Sequence, residues 1–201
     1  MWLIPFGKRS FIKIISLIFE INYKMNILKI PILKRFYPSI IRRVFMLFGK
    51  INFIYKINGH FFELDIRENI ERKAYFEKSY EKERMNFFID QSKKINSKIL
   101  IDIGAYIGFY SIILAKYFNK VFSFEPQIRN FNILGKDISR NQLDDKIISH
   151  NYGLSDENKE LYGYSRKKGK LLQSSGFSLM QGSNEKVSTI IGDNLLKFRD
   201  E

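Results

Sequence analysis

Apolar and polar residues alternate most sharply over residues 51–66, INFIYKINGHFFELDI. Asn58-Gly59 suits a two-residue type I′ turn, because both positions need positive φ. That turn sets Ile57 opposite His60, Tyr55 opposite Phe62, Phe53 opposite Leu64 and Ile51 opposite Ile66. These residues share one face, apolar or aromatic except for His60, which sits beside the turn and is expected to be exposed. Lys56 with Phe61, Ile54 with Glu63 and Asn52 with Asp65 form the other face, so the register agrees with burial. Residues 68–91 read as one or two helices with a solvated Glu/Lys face. Their Tyr75, Phe76, Tyr80, Phe87 and Phe88 are expected to pack inward. The loop SKKINSK follows.

Ile99-Leu100-Ile101 is a short, continuous apolar run, the signature of a strand buried on both faces. Asp102 ends it. Gly104 and Gly108 come next, then a helix from about Phe109 to Tyr117 with Phe109, Ile112, Ile113 and Tyr117 on one face. A second strand, Val121–Phe124, ends in Glu125-Pro126. Pro126 suits the first position of a helix, whose buried side carries Ile128, Phe131, Leu134 and Ile138, with Asn141 as its terminal cap. Residues 146–151 form a third strand. The β-α-β-α-β order predicts an α/β fold with a doubly wound, Rossmann-like parallel sheet.

The glycines therefore lie at the carboxyl end of a strand, where open α/β sheets bind ligands. Glu125 stands 21 residues after Gly104, at the tip of the next strand, where an acid suits a ribose hydroxyl pair. A dinucleotide loop is G-x-G-x-x-G, with room for a pyrophosphate. Here the spacing is G-x-x-x-G, and Tyr106 fills the middle position. Asp102 repels a phosphate but suits the sulfonium and amino group of S-adenosylmethionine. That cofactor is expected ahead of NAD, and a structural turn is the third reading.

Charge changes the picture at the N-terminus. Residues 1–50 carry ten Lys and Arg against one acid, Glu20, so +9 of the net +13 lies there. Residues 9–24 read as a helix with Arg9, Lys13, Ser16, Glu20 and Lys24 on one face. A second helix is expected over Ser39–Phe48, ending at Gly49. No charge-free run approaches the roughly 18 to 20 apolar residues of a membrane span. Two readings of 1–50 stay open: a basic anchor lying on an anionic membrane, or a helix pair packed on the domain. The location expected is cytoplasmic, at the inner face of the membrane if the anchor reading holds. Nucleic acid is excluded as a partner, because no binding fold accompanies the charge. With no cysteine and two distant histidines, His60 and His150, no metal site is expected.

The motifs IDIGAYIGFYSIILA (101–115), FSFEP (122–126), RNQL (140–143), GLSD (153–156), GFSL (176–179) and, more loosely, VSTIIGDNLL (187–196) resemble the FkbM-like family of S-adenosylmethionine-dependent methyltransferases. The resemblance covers roughly residues 60–196. SYEKE (79–83) sits where that family often has Tyr-Glu or Phe-Glu. The resemblance implies a class I methyltransferase fold and methyl transfer to a hydroxyl oxygen, often of a sugar in a surface glycan or of another small molecule. It places Asp102, Gly104, Ala105, Tyr106 and Gly108 around the methionine part, Glu125 (with Pro126) at the ribose, and Asn151 to Ser155 beside the adenine.

Family members continue past GDNLL into a further strand with a K-I-D-x-E-G-like motif. The chain ends at Glu201, so an incomplete sheet is expected, without the neighbour of its first strand and without the catalytic group. The expected organisation is a basic helical extension (1–50), a β-hairpin and helix (51–97), and the N-terminal half of a methyltransferase domain (98–201). Tyr80, Glu81 and His150 are acceptor-side candidates; the catalytic residue is unassigned. A non-catalytic methyltransferase remnant and an NAD-dependent oxidoreductase or epimerase are the alternatives.

Overall fold

Asn58 and Gly59 both adopt positive φ, +50° and +91°, and close a hairpin of β1 (Asn52–Ile57) and β2 (His60–Asp65). The pairing runs from Ile57 with His60 to Asn52 with Asp65, in the expected register. Ile57, Phe62, Leu64 and Ile66 are buried. The computed structural model describes Ser39, Arg42, Arg43 and residues 52–168, 171–179 and 185–192. The expected helices and anchor of residues 1–50 otherwise lie outside the described residues, as does Ile51. His60 is half-buried rather than exposed. Desolvation, then the nearby Lys116 charge, lowers its pKa.

In an antiparallel pair, alternate residues turn their N–H groups away from the partner strand. On β2 these are Phe61, Glu63 and Asp65, and each finds a side chain. Phe61 donates to Asn141 Oδ1 at 2.8 Å, Glu63 to Asp137 Oδ2 at 2.9 Å, and Asp65 to Glu71 Oε2. Asn141 also donates its amide to the Phe61 carbonyl at 2.7 Å.

Residues 68–94 form two helices, α1 (Asn69–Glu77) and α2 (Lys82–Lys94). Lys78 and Glu81, at φ +51° and +35°, break the chain between them. The expected loop at 92–98 shrinks accordingly, since Ser92–Lys94 are the last turn of α2. Tyr75 is buried against Phe53 and Tyr55, with ring centroids 5.0 and 4.8 Å away. Phe87 and Phe88, expected inside, are exposed.

Three parallel strands follow in the order β3 (Ile99–Ile103), β4 (Lys120–Phe124), β5 (Ile147–His150). Between them run α3 (Phe109–Leu114), with one 3₁₀ turn at Ala115–Tyr117, and α4 (Ile128–Arg140), capped at its end by Asn141. This is half of a doubly wound, Rossmann-like sheet. Val121, Phe122 and Phe124 of β4 are buried, as are Ile112, Leu114, Leu134 and Ile138 from the helices. Pro126 stands one residue before the α4 N-cap, Gln127, rather than inside the helix. Ile128 and Tyr117, expected on buried faces, are exposed.

The expectation that β3 is buried on both faces is corrected. It has no second neighbour among the described residues, and Ile99, Ile101 and Ile103 are 38%, 47% and 63% exposed. Residues 153–155, 159–168, 171–179 and 185–191 form a second sheet that the motifs did not announce. Its order is β6 (Gly153–Ser155), β9 (Glu185–Ile191), β7 (Lys159–Lys168), β8 (Leu171–Leu179). β6 runs parallel to β9, and the other pairs are antiparallel. Gly153 faces Thr189 and Pro126, at 3.5 and 3.7 Å from where a Cβ would stand, which joins this sheet to the end of β4.

Candidate functional site

The loop between β3 and α3 is built on three positive-φ positions, Gly104 (+79°), Tyr106 (+56°) and Gly108 (+89°). Gly104 and Ala105 donate their N–H groups to the Phe124 carbonyl at 2.8 and 3.0 Å, which folds the loop over the tip of β4. Gly108 donates to Ala105 at 2.8 Å and serves as the N-cap of α3.

Asp102 reaches across the loop. Its Oδ2 accepts the Ser111 N–H at 3.1 Å and the Ser111 hydroxyl at 2.5 Å. Ser111 Oγ in turn lies 2.7 Å from Ser123 Oγ on β4. Asp102 thus caps the first turn of α3 from a distance, with the carboxylate at the helix end that favours negative charge. Burial raises its pKa, partly offset by the two Ser111 bonds. Its other oxygen, Oδ1, takes no hydrogen bond among the described residues.

Asp102 also lines a cleft of about 450 Å³ along the open side of β3, between the glycine loop and helices α2 and α3. Its walls are aromatic. Tyr80 stacks on Phe109, with centroids 4.3 Å apart and planes at 15°. Tyr110 meets both Tyr80 and Phe88 edge-on at 5.7 Å. Tyr110 donates its hydroxyl to Glu81 at 2.5 Å, and Arg84 donates to the same carboxylate at 3.2 Å. Burial, reinforced by the Glu81 and Asp102 charges, pushes the Tyr80 phenol up to about 12. Burial and the Glu81 bond also raise Tyr110. Both phenols hold their protons at neutral pH.

Glu125 is buried behind the loop rather than open to the cleft. Its Oε2 accepts the Tyr106 N–H at 2.8 Å and its Oε1 the Gln127 N–H at 3.0 Å, while the Asn130 amide donates to the Gln127 side chain at 2.6 Å. Burial raises its pKa, partly offset by the Gln127 and Tyr106 N–H groups and the nearby Asn130 amide. Asn151 donates to the Glu125 and Pro126 carbonyls at 2.9 and 3.2 Å, fixing the turn after β4.

No family model matches the sequence, and no curated protein matches it. Solved structures similar to the chain include Trm5 of Methanocaldococcus jannaschii in complex with adenosine (23% identical, TM-score 0.37, covering 49% of this chain and 28% of that one). TYW2 of M. jannaschii in complex with AdoMet is 27% identical, with TM-score 0.38, covering 49% and 42%. The complex of aTrm5 and tRNALeu is 24% identical, with TM-score 0.37, covering 49% and 27%. The chain spans less than half the length of each. The exclusion of nucleic acid as a partner is withdrawn, because this set includes a structure solved on tRNA.

The structure brings Asp102, Gly104, Ala105, Tyr106, Gly108, Glu125 and Pro126 into one constellation, with Asn151 behind it. Ser155 lies on β6 in the other sheet, its hydroxyl donated to Asp156. Of the acceptor-side candidates, Tyr80 lines the cleft and Glu81 braces Tyr110 beside it. His150 stacks on Phe124, centroids 5.0 Å apart, outside the cleft lining. Sequence reasoning missed Glu71, whose carboxylate accepts the Tyr106 hydroxyl at 2.5 Å, and the aromatic wall of Phe109 and Tyr110. Tyr110 sits in the quoted motif, but only the fold shows which way it faces. Nothing in the local pattern sets Glu71 apart from the neighbouring acids Glu68 and Glu77.

Proposed function

We propose that residues 98–155 form the S-adenosylmethionine-binding half of a methyltransferase. The observation that carries this is Asp102. One oxygen is held by Ser111 at the start of α3, the other takes no hydrogen bond among the described residues, and the residue lines a cleft with Tyr80, Phe109 and Tyr110. A carboxylate within an aromatic wall is a site for a cation, through charge and through the ring faces. The amino group and sulfonium of S-adenosylmethionine are such cations. A pyrophosphate would need the helix N-terminus that Asp102 already covers, which disfavours NAD. A ribose contact for Glu125 is supported by its spacing and the motif resemblance alone; in the fold its buried carboxylate holds the Tyr106 and Gln127 N–H groups behind the loop.

When bound, the sulfonium supplies an activated methyl group. The chain's own residues hold it: Asp102 the charged end, the glycine loop the shape of the cleft, Tyr80 and Tyr110 the wall. The sugar hydroxyl of a glycan or small molecule as acceptor is supported by the motif resemblance alone.

Calorimetry with S-adenosylhomocysteine tests the site. Asp102→Asn keeps the Ser111 bonds while removing the charge, and is expected to weaken binding about tenfold, the scale of one charge-assisted contact. Saturable NADH binding, or Asp102→Asn affinity equal to that of the wild type, would overturn the assignment.

A further inference from the structure

Tyr106 occupies left-handed backbone, φ +56°, which a large L side chain rarely adopts. Two hydrogen bonds hold it there. Its N–H goes to Glu125, and its hydroxyl goes to Glu71 Oε1 at 2.5 Å. Glu71 lies on α1, far upstream, and is wholly buried. Its second oxygen takes the Asp65 N–H at the end of β2. The Asp65 carboxylate is gripped by Arg67 at 2.5 Å and by Arg129 at 3.1 Å. Arg129 belongs to the first turn of α4, whose N-cap Gln127 donates to Glu125. The contacts, closed by the short stretch of α4 between Gln127 and Arg129, run Glu125, Tyr106, Glu71, Asp65, Arg129, Gln127.

A buried carboxyl is costly unless its oxygens are satisfied. The Asp65 N–H accounts for one Glu71 oxygen. The other is aimed at the one aromatic side chain of the glycine loop, Tyr106. Fixed at both its N–H and its hydroxyl, Tyr106 stands as part of the cleft wall.

We propose that Glu71 is a positioning residue for the cofactor loop. It anchors the Tyr106 hydroxyl and so sets the shape of Gly104–Gly108 without touching the cofactor. The inference rests on reading the cleft as an S-adenosylmethionine site. It gives the hairpin and α1 a role in that site, since Asp65 and Glu71 transmit their placement to the loop.

The test compares wild type, Tyr106→Phe, Glu71→Gln, Glu71→Ala and the Tyr106→Phe/Glu71→Ala double variant. Two quantities are read: S-adenosylhomocysteine affinity and amide hydrogen exchange of residues 104–108. Tyr106→Phe removes one oxygen and is expected to weaken binding about tenfold, the scale of a buried hydrogen bond, and to speed exchange in the loop. Glu71→Gln can turn its carbonyl to the Asp65 N–H and its amide to the Tyr106 oxygen, so it is expected to stay near wild type in both. Glu71→Ala should weaken binding alone but add little on top of Tyr106→Phe. Wild-type affinity and loop exchange in Tyr106→Phe would overturn the role. So would a Glu71→Ala effect undiminished in the Tyr106→Phe background. A wild-type protein that binds no S-adenosylhomocysteine removes the cofactor reading instead, and loop exchange in Tyr106→Phe then decides the positioning role by itself.

Discussion

Gly108→Ala separates the steric part of the loop from its backbone part. A Cβ at Gly108 would stand 2.5 Å from Leu134 Cδ1 and 3.2 Å from Ile112 Cδ1. Both neighbours are fully buried, so neither can swing into solvent. Left-handed backbone at a non-glycine residue costs about 1–2 kcal/mol, and overpacking a closed core adds about 1–3 kcal/mol. The expected loss is therefore about 2–5 kcal/mol. Gly104→Ala is the control. Its φ is +79°, yet nothing lies within 4 Å of its would-be Cβ, so only the backbone cost of about 1–2 kcal/mol applies. Urea unfolding of the three proteins, with slopes held equal, measures both losses. Shortening the obstructing side chain in Gly108→Ala/Leu134→Val should return part of the steric cost, a coupling visible in a double-mutant cycle. Equal losses for Gly104→Ala and Gly108→Ala would refute the reasoning, because the close approach to Leu134 would then carry no weight.

Burial pushes Glu71 up to about 8, so between the ordinary glutamate range and pH 8 the folded chain holds a proton that the unfolded chain releases. Stability then falls as pH rises through that window, by a few kcal/mol, and denaturant midpoints at several pH values should show a shallower fall in Glu71→Gln; an unchanged slope counts against it. Asp137, pushed up to about 7 by burial, contributes with the same sign in both proteins and cancels in the comparison. Asn141→Ala removes both bonds to Phe61 and should cost about 1–3 kcal/mol, read by thermal or urea unfolding; a loss within error would mean that solvent replaces the amide freely. Ile101→Lys charges the open side of β3 and should reduce self-association in concentration-dependent light scattering, with no change expected if that edge does not drive contacts.

The hairpin was legible because its turn chemistry and its period-two pattern agree, and the three parallel strands because glycine and proline punctuate apolar runs. Periodicity could not show that the two sides of β3 differ, since a run of Ile and Leu looks the same beside a strand or beside solvent. Phe87 and Phe88 illustrate the same gap: an aromatic residue on a helix reads as core whether or not anything covers it. In the site, the glycines and Glu125 stood out by spacing. Glu71 could not, because its significance is a contact with Tyr106 across 35 residues of chain. The sheet of β6 to β9 escaped notice although VSTII is a β-branched run, because charged and glycine positions dilute the alternation in its partners.

The outward N–H groups of β2 give the hairpin two kinds of amide. Those facing β1 are bonded whenever the two strands close. Those of Phe61, Glu63 and Asp65 are bonded only when α4 and α1 are in place. Exchange measured residue by residue along β2 therefore carries a clock for assembly: one alternate set records closure of the turn, and the other records arrival of the helices. The same three caps leave no vacant backbone donors on that side of the ribbon, so an incoming chain finds no template there.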